Sequence, residues 1–177
     1  MSSAIDAALV ASLFAVDPAG LGGVRIHSPP HPVRERWLAL LRTLLPAPGL
    51  VRRLPCTIGD ERLLGGLDLT ATLRSGRPVA ERGVLAETDG GVIVLAMAER
   101  LPALTAARIV AAIDEGEVRI ERDGVALRSP ARLGVVALDE GESAEESAPA
   151  ALLDRLAFRL DLRAFRAAEL LEPAHSS

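Results

Sequence analysis

The chain has 177 residues, of which 49% are hydrophobic, and 20 basic against 24 acidic side chains give it a formal net charge of −4. This length and composition can bury one sizeable core, so a single domain over residues 1–177 is predicted. The mild acidity without a basic run excludes the electrostatic footprint of a nucleic-acid-binding protein, and the apolar runs are too short for a transmembrane segment.

Apolar spacing and turn residues predict an alternation of helices and strands. In chain order, the predicted elements are a helix at Ile5–Val16, a strand at Val24–Ile26, a helix at Val33–Leu45, a strand at Leu50–Leu54, short helices at Leu67–Leu73 and Val84–Thr88, a strand in GGVIVLAMA, a helix at Ala103–Glu115, a hairpin in VRIERDGVALR, a strand at Arg132–Leu138, a helix at Ala150–Arg155, a strand at Ala157–Leu162 and a helical tail at Arg163–Leu171.

The spacing also predicts which helix faces enter the core. On the first helix that face is Ile5, Ala8, Leu9, Leu13 and Val16; on the helix at Ala103–Glu115 it is Leu104, Ala107, Ile109 and Ile113. Strands that alternate with helices favour an α/β fold with a parallel sheet covered on both faces. The acidic stretch DEGESAEESAPA is predicted to be a solvated, mobile loop, and the acids at 114, 115 and 117 a solvated helix end.

Missing residue types exclude several kinds of chemistry. The chain contains no Lys, Asn, Gln or Tyr. Without lysine there is no phosphate-loop lysine, Schiff base or catalytic ammonium. The one cysteine, Cys56, cannot form an internal disulfide and favours a reducing cytoplasm. The N-terminus also lacks the basic region of a signal peptide, so a cytoplasmic protein is expected.

The loop SPPHPVRE joins the first strand to the second helix with the spacing of a phosphate-binding loop but without its chemistry. Against GxxxxGK[ST], Ser28 and Val33 stand at the glycines, Arg34 at the lysine and Glu35 at the hydroxyl residue. Three prolines remove backbone donors that would face a phosphate. The loop is therefore interpreted as a degenerate phosphate loop that does not bind ATP. A metal site at the neighbouring histidines lacks a further ligand, and no metal site is predicted.

Five segments in order resemble the AAA+ module of magnesium chelatase. They are GDERLLGGLDLTATLRSGRP, ERGVLAETDGG, VIVLAMAERL, EGEVRIERDGVALRSPARLGVVAL and APAALLDRLAFRLDL. The resemblance runs from about Gly20 to Leu162 and is to the D-type subunit, whose nucleotide motifs are often lost. It implies an AAA+-type parallel sheet with a helical insert and a β-hairpin before the sensor strand. It also implies a fragment, since the family's C-terminal lid, acidic and proline-rich linker and integrin-I-like domain do not fit here.

The resemblance assigns further positions. The acids of the second nucleotide motif fall on Ala96 and Met97, which can neither hold Mg²⁺ nor take a proton. Leu138-Asp139-Glu140 stands where the sensor asparagine is expected. In LLDRL, Arg155 matches an arginine that points at the ATP of a neighbouring subunit, although pairing with Asp154 or another nearby acid is an equal alternative. Arg132 is an interface or structural ion-pair candidate, and Asp154 a second interface candidate.

The function that the resemblance implies is a non-hydrolysing subunit of magnesium chelatase, a ligase that forms a nitrogen–metal bond in chlorophyll and bacteriochlorophyll biosynthesis. The chain would assemble in a ring with copies of itself, with the ATPase-competent subunit and with the large porphyrin-binding subunit. ATP hydrolysis and Mg²⁺ would serve the complex, with no cofactor held by this chain. The alternative is a degenerate regulatory switch of the same class that still binds ATP, with Arg34 contacting phosphate.

Overall fold

A computed structural model describes residues 4–77, 79–122, 125–143 and 145–163. Within these residues, five parallel strands form the central sheet in the order β2-β5-β8-β1-β9. Their bounds are β1 Gly23–His27, β2 Val51–Leu54, β5 Val92–Leu95, β8 Gly134–Asp139 and β9 Phe158–Asp161. Every residue of β5 and β8 is buried, because both strands are covered on both faces, which explains their continuous apolar sequences.

Helices cover the two faces of this sheet and divide the core into two parts. The helices are α1 Ala4–Val16, α2 Pro32–Leu44, α3 Asp60–Leu64, α4 Leu69–Ser75, α5 Val84–Glu87, α6 Ala103–Glu115 and α7 Ala150–Leu153. One part of the core packs α1 and α2 on the sheet, and the other packs α3, α5, α6 and α7. Successive residues of β5 point alternately into the two parts, as the pleat requires.

The predicted α/β class, a parallel sheet with helices on both faces, is confirmed, with additions around the insert. Two short strands, β3 Gly65–Leu67 and β4 Ala80–Arg82, pair antiparallel, and α3 precedes them; none of the three was predicted. The insert helix α4 begins two residues later than predicted, because the carboxylate of Asp68 caps it by accepting from the amide of Ala71 at 2.8 Å.

The predicted hairpin is present as β6 Glu117–Arg122 and β7 Val125–Pro130, paired antiparallel. Its predicted Asp123-Gly124 turn lies outside the described residues. The same holds for the predicted tail helix beyond Arg163. A short 3₁₀ turn, Ala98–Arg100, follows β5.

The predicted core face of α1 is wrong. Leu9, Leu13 and Val16 are 53%, 45% and 83% exposed, whereas Ala7, Ala11, Phe14 and Ala15 are buried. The helix AIDAALVASLFAV is apolar on most of its surface, so spacing alone does not select a face. Tertiary contacts select it: the indole Nε1 of Trp37 on α2 donates to the carbonyl oxygen of Ala7 at 2.8 Å.

The predicted face of α6 is wrong in part for a similar reason. Leu104 is 63% exposed and Ala107 is exposed, while Ile109 is buried as predicted. The buried face is completed by smaller or neighbouring residues, namely Thr105, Ala106, Val110 and Ala112.

Two adjacent substitutions on α1 test this assignment. Phe14→Ala should lower the free energy of unfolding by about 3–5 kcal/mol, because it empties a fully buried site. Leu13→Ala should change it by no more than about 0.5 kcal/mol, since the side chain is half exposed. Urea unfolding followed by far-ultraviolet circular dichroism measures both values. Equal losses would contradict the observed orientation of α1.

Candidate functional site

The β1–α2 junction uses its backbone donors within the protein. His31 caps α2: its Nδ1 accepts from the amide of Val33 at 3.3 Å, and Pro32 is the first helical residue. The amide of Ser28 donates to the carbonyl of Asp139 at 3.0 Å. The amides of residues 34 and 35 donate to the carbonyl of His31. Three positions of the loop are prolines without an amide donor, and the amides of Ser28, Val33 and the two residues after it are bonded within the protein.

Arg34, at the lysine position of the degenerate loop, is turned into the protein. Its side chain is only 8% exposed, and its Nη1 lies 2.6 Å from a carboxylate oxygen of Glu140. The same nitrogen donates to the carbonyl of Ser28 at 3.3 Å. Its Nε has no hydrogen-bond partner among the described residues and lies 3.7 Å from Glu35. The positive charge that a phosphate would require is therefore matched by a carboxylate of the same chain.

Glu35, at the position of the hydroxyl residue, places a second carboxylate at the start of α2. Its side chain is 49% exposed and lies 2.5 Å from the guanidinium of Arg53 on β2. The hydrogen bond from Arg53 lowers the pKa of Glu35, so this carboxylate is ionised at neutral pH. The helix dipole stabilises a negative charge at this position, and the same charge would repel a bound polyphosphate.

The two residues that the resemblance assigns to the second nucleotide motif have side chains without oxygen. Ala96 and Met97 follow β5, and Met97 has a left-handed backbone with φ of 51°. The next acid, Glu99, accepts from the amide of Glu140 at 3.0 Å. Among the described residues, no group of three or more His, Cys, Asp or Glu could hold a metal ion.

Asp139 and Glu140, at the end of β8, tie the sensor position to the rest of the site. The carboxylate of Asp139 is fully buried and lies 2.7 Å from a guanidinium nitrogen of Arg25 on β1. It also accepts from the amides of Gly141 at 3.1 Å and Ala148 at 3.5 Å. The acidic loop is predicted to be solvated, and its acids Glu142, Glu145 and Glu146 are exposed, while its base is held by these bonds.

A cavity of about 510 Å³ opens beside this loop at the carboxyl edge of the sheet. Its lining consists mainly of acids, namely Glu99, Glu140, Glu142, Glu145 and Glu146, together with Gly141 and Arg100. Like charges at short range repel, so this cavity disfavours an anionic ligand. The residues present at the junction, the second motif and the sensor position thus do not fit ATP.

Arg155 lies at the opposite edge of the sheet. It precedes β9, whereas Arg34 follows β1, and these two strands are paired and parallel. A five-residue strand spans about 16 Å, so Arg155 does not approach the β1–α2 junction of its own chain. The side chain is 39% exposed, and the hydrogen bond from its guanidinium to Asp114 raises the pKa of Arg155.

The other two interface candidates are also exposed at this edge. The guanidinium of Arg132 is 72% exposed and lies 3.5 Å from Asp89, whose carboxylate also accepts from the Arg132 amide at 2.8 Å. Asp154 ends α7 and is exposed. Of the two predicted partners for Arg155, a nearby acid is found, and it is Asp114, not Asp154.

Sequence reasoning missed the two acids that pair with the candidate arginines. Glu140 is 106 residues from Arg34, and Asp114 is 41 residues from Arg155. No local pattern carries such pairings, and the sequence alone predicts that Asp114 belongs to a solvated helix end. The sequence could indicate the Arg34–Glu140 pairing only through the topology of the sheet, because β1 and β8 are neighbouring strands.

The fold and the site define an AAA+-type α/β module whose β1–α2 junction pairs its charged side chains within the chain. No protein-family model matches the chain. The chain is 45% identical over 159 residues to the magnesium-chelatase 60 kDa subunit of Cereibacter sphaeroides. The aligned residues make up 89% of this chain and 24% of that protein. It is 39% identical over 157 residues to the 60 kDa subunit of Rhodobacter capsulatus, covering 88% and 24%. The chain belongs to the magnesium-chelatase family, and the predicted resemblance to its D-type subunits is confirmed.

Two further relatives place the fold within that family. The magnesium-chelatase 38 kDa subunit of Rhodobacter capsulatus is 27% identical over 157 residues, covering 88% of this chain and 43% of that protein. A structure described as the complex between subunits BchI and BchD of magnesium chelatase also matches. The alignment covers 96% of this chain and 62% of the matched chain, with a TM-score of 0.75 and 24% sequence identity. The chain spans about a quarter, 24%, of the length of its 60 kDa relatives. Among the described residues, no helix is long and apolar enough to cross a membrane.

The pairing of Arg34 with Glu140 generates a test at the site itself. Glu140→Ala should lower the free energy of unfolding by about 1–3 kcal/mol, because it leaves a mostly buried guanidinium without its charged partner. Glu142→Ala, on the same loop but exposed, should change it by no more than about 0.5 kcal/mol. Urea titration followed by the fluorescence of Trp37, the one tryptophan, gives both values. Indistinguishable variants would show that the ion pair does not hold the junction.

Proposed function

We propose that this chain is a non-hydrolysing AAA+ module of magnesium chelatase, acting in the cytoplasm. It docks with the ATPase-competent subunit, with further copies of itself and with the porphyrin-binding subunit. The assembly couples ATP hydrolysis to the insertion of Mg²⁺ into protoporphyrin IX. The family of the relatives supports this role, and the observation that carries it is the internal pairing of Arg34 with Glu140.

The pairing supports an assembly role over a nucleotide switch. A switch requires Arg34 to be available to phosphate. Its charge is already matched by Glu140, however, and its side chain is only 8% exposed. Hydrolysis further requires a carboxylate to hold Mg²⁺ and a base to activate water, and Ala96 and Met97 supply neither. The Mg²⁺ that enters the porphyrin is a substrate of the complex, and this chain need not bind it.

What remains for this chain to contribute is contact at the opposite edge of the sheet. Arg155 is exposed there and is separated by the sheet from the β1–α2 junction of its own chain. An arginine in that position can serve only a nucleotide held by another subunit. Such a trans arginine stabilises the charge that develops on the transferred phosphoryl group.

Mass measurement of mixtures tests the proposed role. This chain mixed with the ATPase-competent chelatase subunit should form a mixed assembly that Mg·ATP strengthens, as measured by sedimentation or mass photometry. The same chain alone should show no saturable ATP binding by calorimetry up to millimolar nucleotide.

The two measurements separate the competing hypotheses. Two unmixed populations with and without Mg·ATP would contradict the docking role of this chain. Saturable ATP binding that Arg34→Ala abolishes would establish the nucleotide switch instead.

A substitution at Arg155 tests the trans role. Arg155→Ala should remove most of the ATPase activity that this chain adds to its partner, since a trans arginine contributes about 10³–10⁵ in rate. The matched control is Arg163→Ala, because Arg163 is also exposed and paired with an aspartate, Asp161, at 2.5 Å. Steady-state ATPase assays of the mixed assembly measure both. Equal activity of the Arg155→Ala variant and the unmodified chain would remove Arg155 from the mechanism.

A further inference from the structure

The backbone at Arg155 is fixed against the entry to β1. Gly22 has φ of 69°, and a Cβ on this glycine would overlap the carbonyl oxygen of Arg155. The amide of Arg155 donates to the carbonyl of Leu152 at 3.0 Å, and the amide of Ala157 donates to that of Leu21 at 3.2 Å. With the peptide held on both sides, only the side-chain torsions of Arg155 remain to be set.

Asp114, at the end of α6, sets these torsions. Its Oδ1 lies 3.3 Å from Nε of Arg155, and its Oδ2 lies 3.0 Å from Nη2. These two bonds engage one edge of the planar guanidinium, which fixes its plane as well as its position. The backbone at Asp114 is also fixed, because Gly116 ends α6 in a left-handed conformation and donates to the carbonyl of Ala112 at 2.9 Å.

The geometry leaves the other edge of the guanidinium available. A guanidinium has five N–H donors, and Asp114 engages one on Nε and one on Nη2. Within the part of the chain that the structure describes, no further partner is found for the two donors on Nη1 and the second donor on Nη2, and together they form a fork that matches a second oxyanion. A carboxylate behind the arginine and a phosphate in front of it are thus compatible.

Asp154, the adjacent acid, does not supply this restraint. It acts on Arg155 only through its charge, whereas Asp114 provides the hydrogen bonds. The Arg155–Asp114 pair is exposed, so it contributes little to stability, and its effect is on orientation.

We propose that Asp114 is the positioning residue for Arg155, holding the Nε–Nη2 edge so that the Nη1–Nη2 edge faces the phosphate of a nucleotide on the neighbouring subunit. This inference rests on the proposed trans role of Arg155. It adds a residue that lies in another helix and does not touch the nucleotide.

The test compares five variants, including Arg155→Ala, in the mixed assembly with the ATPase-competent subunit. Asp114→Ala should lower kcat on the order of 10-fold with little change in KM, because a displacement of about 1 Å can cost about 100-fold. Asp114→Glu, which keeps the carboxylate, should recover most of the loss. The control is Glu115→Ala, since Glu115 is an equally exposed acid on the same helix end, 3.2 Å from Arg119. The double variant Asp114→Ala/Arg155→Ala should match Arg155→Ala alone, because both changes act through one group.

Each outcome decides a different point. If Arg155→Ala lowers kcat and Asp114→Ala does not, the positioning role is overturned while the proposed function stands. If Asp114→Ala raises kcat, Asp114 restrains the arginine and the positioning role is also overturned. If neither substitution has an effect, the trans role itself fails. Circular dichroism verifies the fold of each variant, and Asp114→Asn replaces Asp114→Ala should that chain not fold.

Discussion

The ion pair between Arg25 and the fully buried carboxylate of Asp139 is the interaction on which the rest of the site depends. Removing a carboxylate from water costs several kcal/mol, and only a charged partner with additional hydrogen bonds offsets that cost. Arg25 on β1 supplies the charge, and the amides of Gly141 and Ala148 supply the bonds. Because the end of β8 is held in this way, the next residue, Glu140, is directed towards Arg34. The junction is then neutral without any ligand.

The parallel sheet separates this neutral junction from the exposed arginines. All five strands described in the central sheet run in the same direction, so every loop that follows a strand is at one edge and every loop that precedes a strand is at the other. The degenerate loop, Ala96–Met97 and the acidic cavity share the carboxyl edge. Arg132 and Arg155 share the amino edge. Topology alone therefore prevents the arginine of LLDR from acting on the junction of its own chain.

Much of the fold follows from sequence pattern, while the pairings do not. The bounds of α6 and the buried strands β5 and β8 are predicted closely, because glycines and prolines end them and their apolar runs suit a doubly covered sheet. The face of α1 is not predictable, since alanines are apolar on every side and the contact with Trp37 decides between them. Losses at single positions, such as Ala96 for an acid, are visible in the sequence. The pairing of Arg34 with Glu140 is not, because it joins residues 106 positions apart.

An internal ion pair also differs from a bound nucleotide in what it allows. A nucleotide can be hydrolysed and released, so a module that holds one alternates between its nucleotide-bound and nucleotide-free conformations. Glu140 is covalently part of the chain, and its pairing with Arg34 requires no bound ligand. Within the proposed assembly, this module therefore responds to ATP only through the subunit that binds it, and that response enters at the amino edge of the sheet. There the Arg155 side chain is paired with Asp114 along one edge of its guanidinium and, unlike that of Arg34, is 39% exposed.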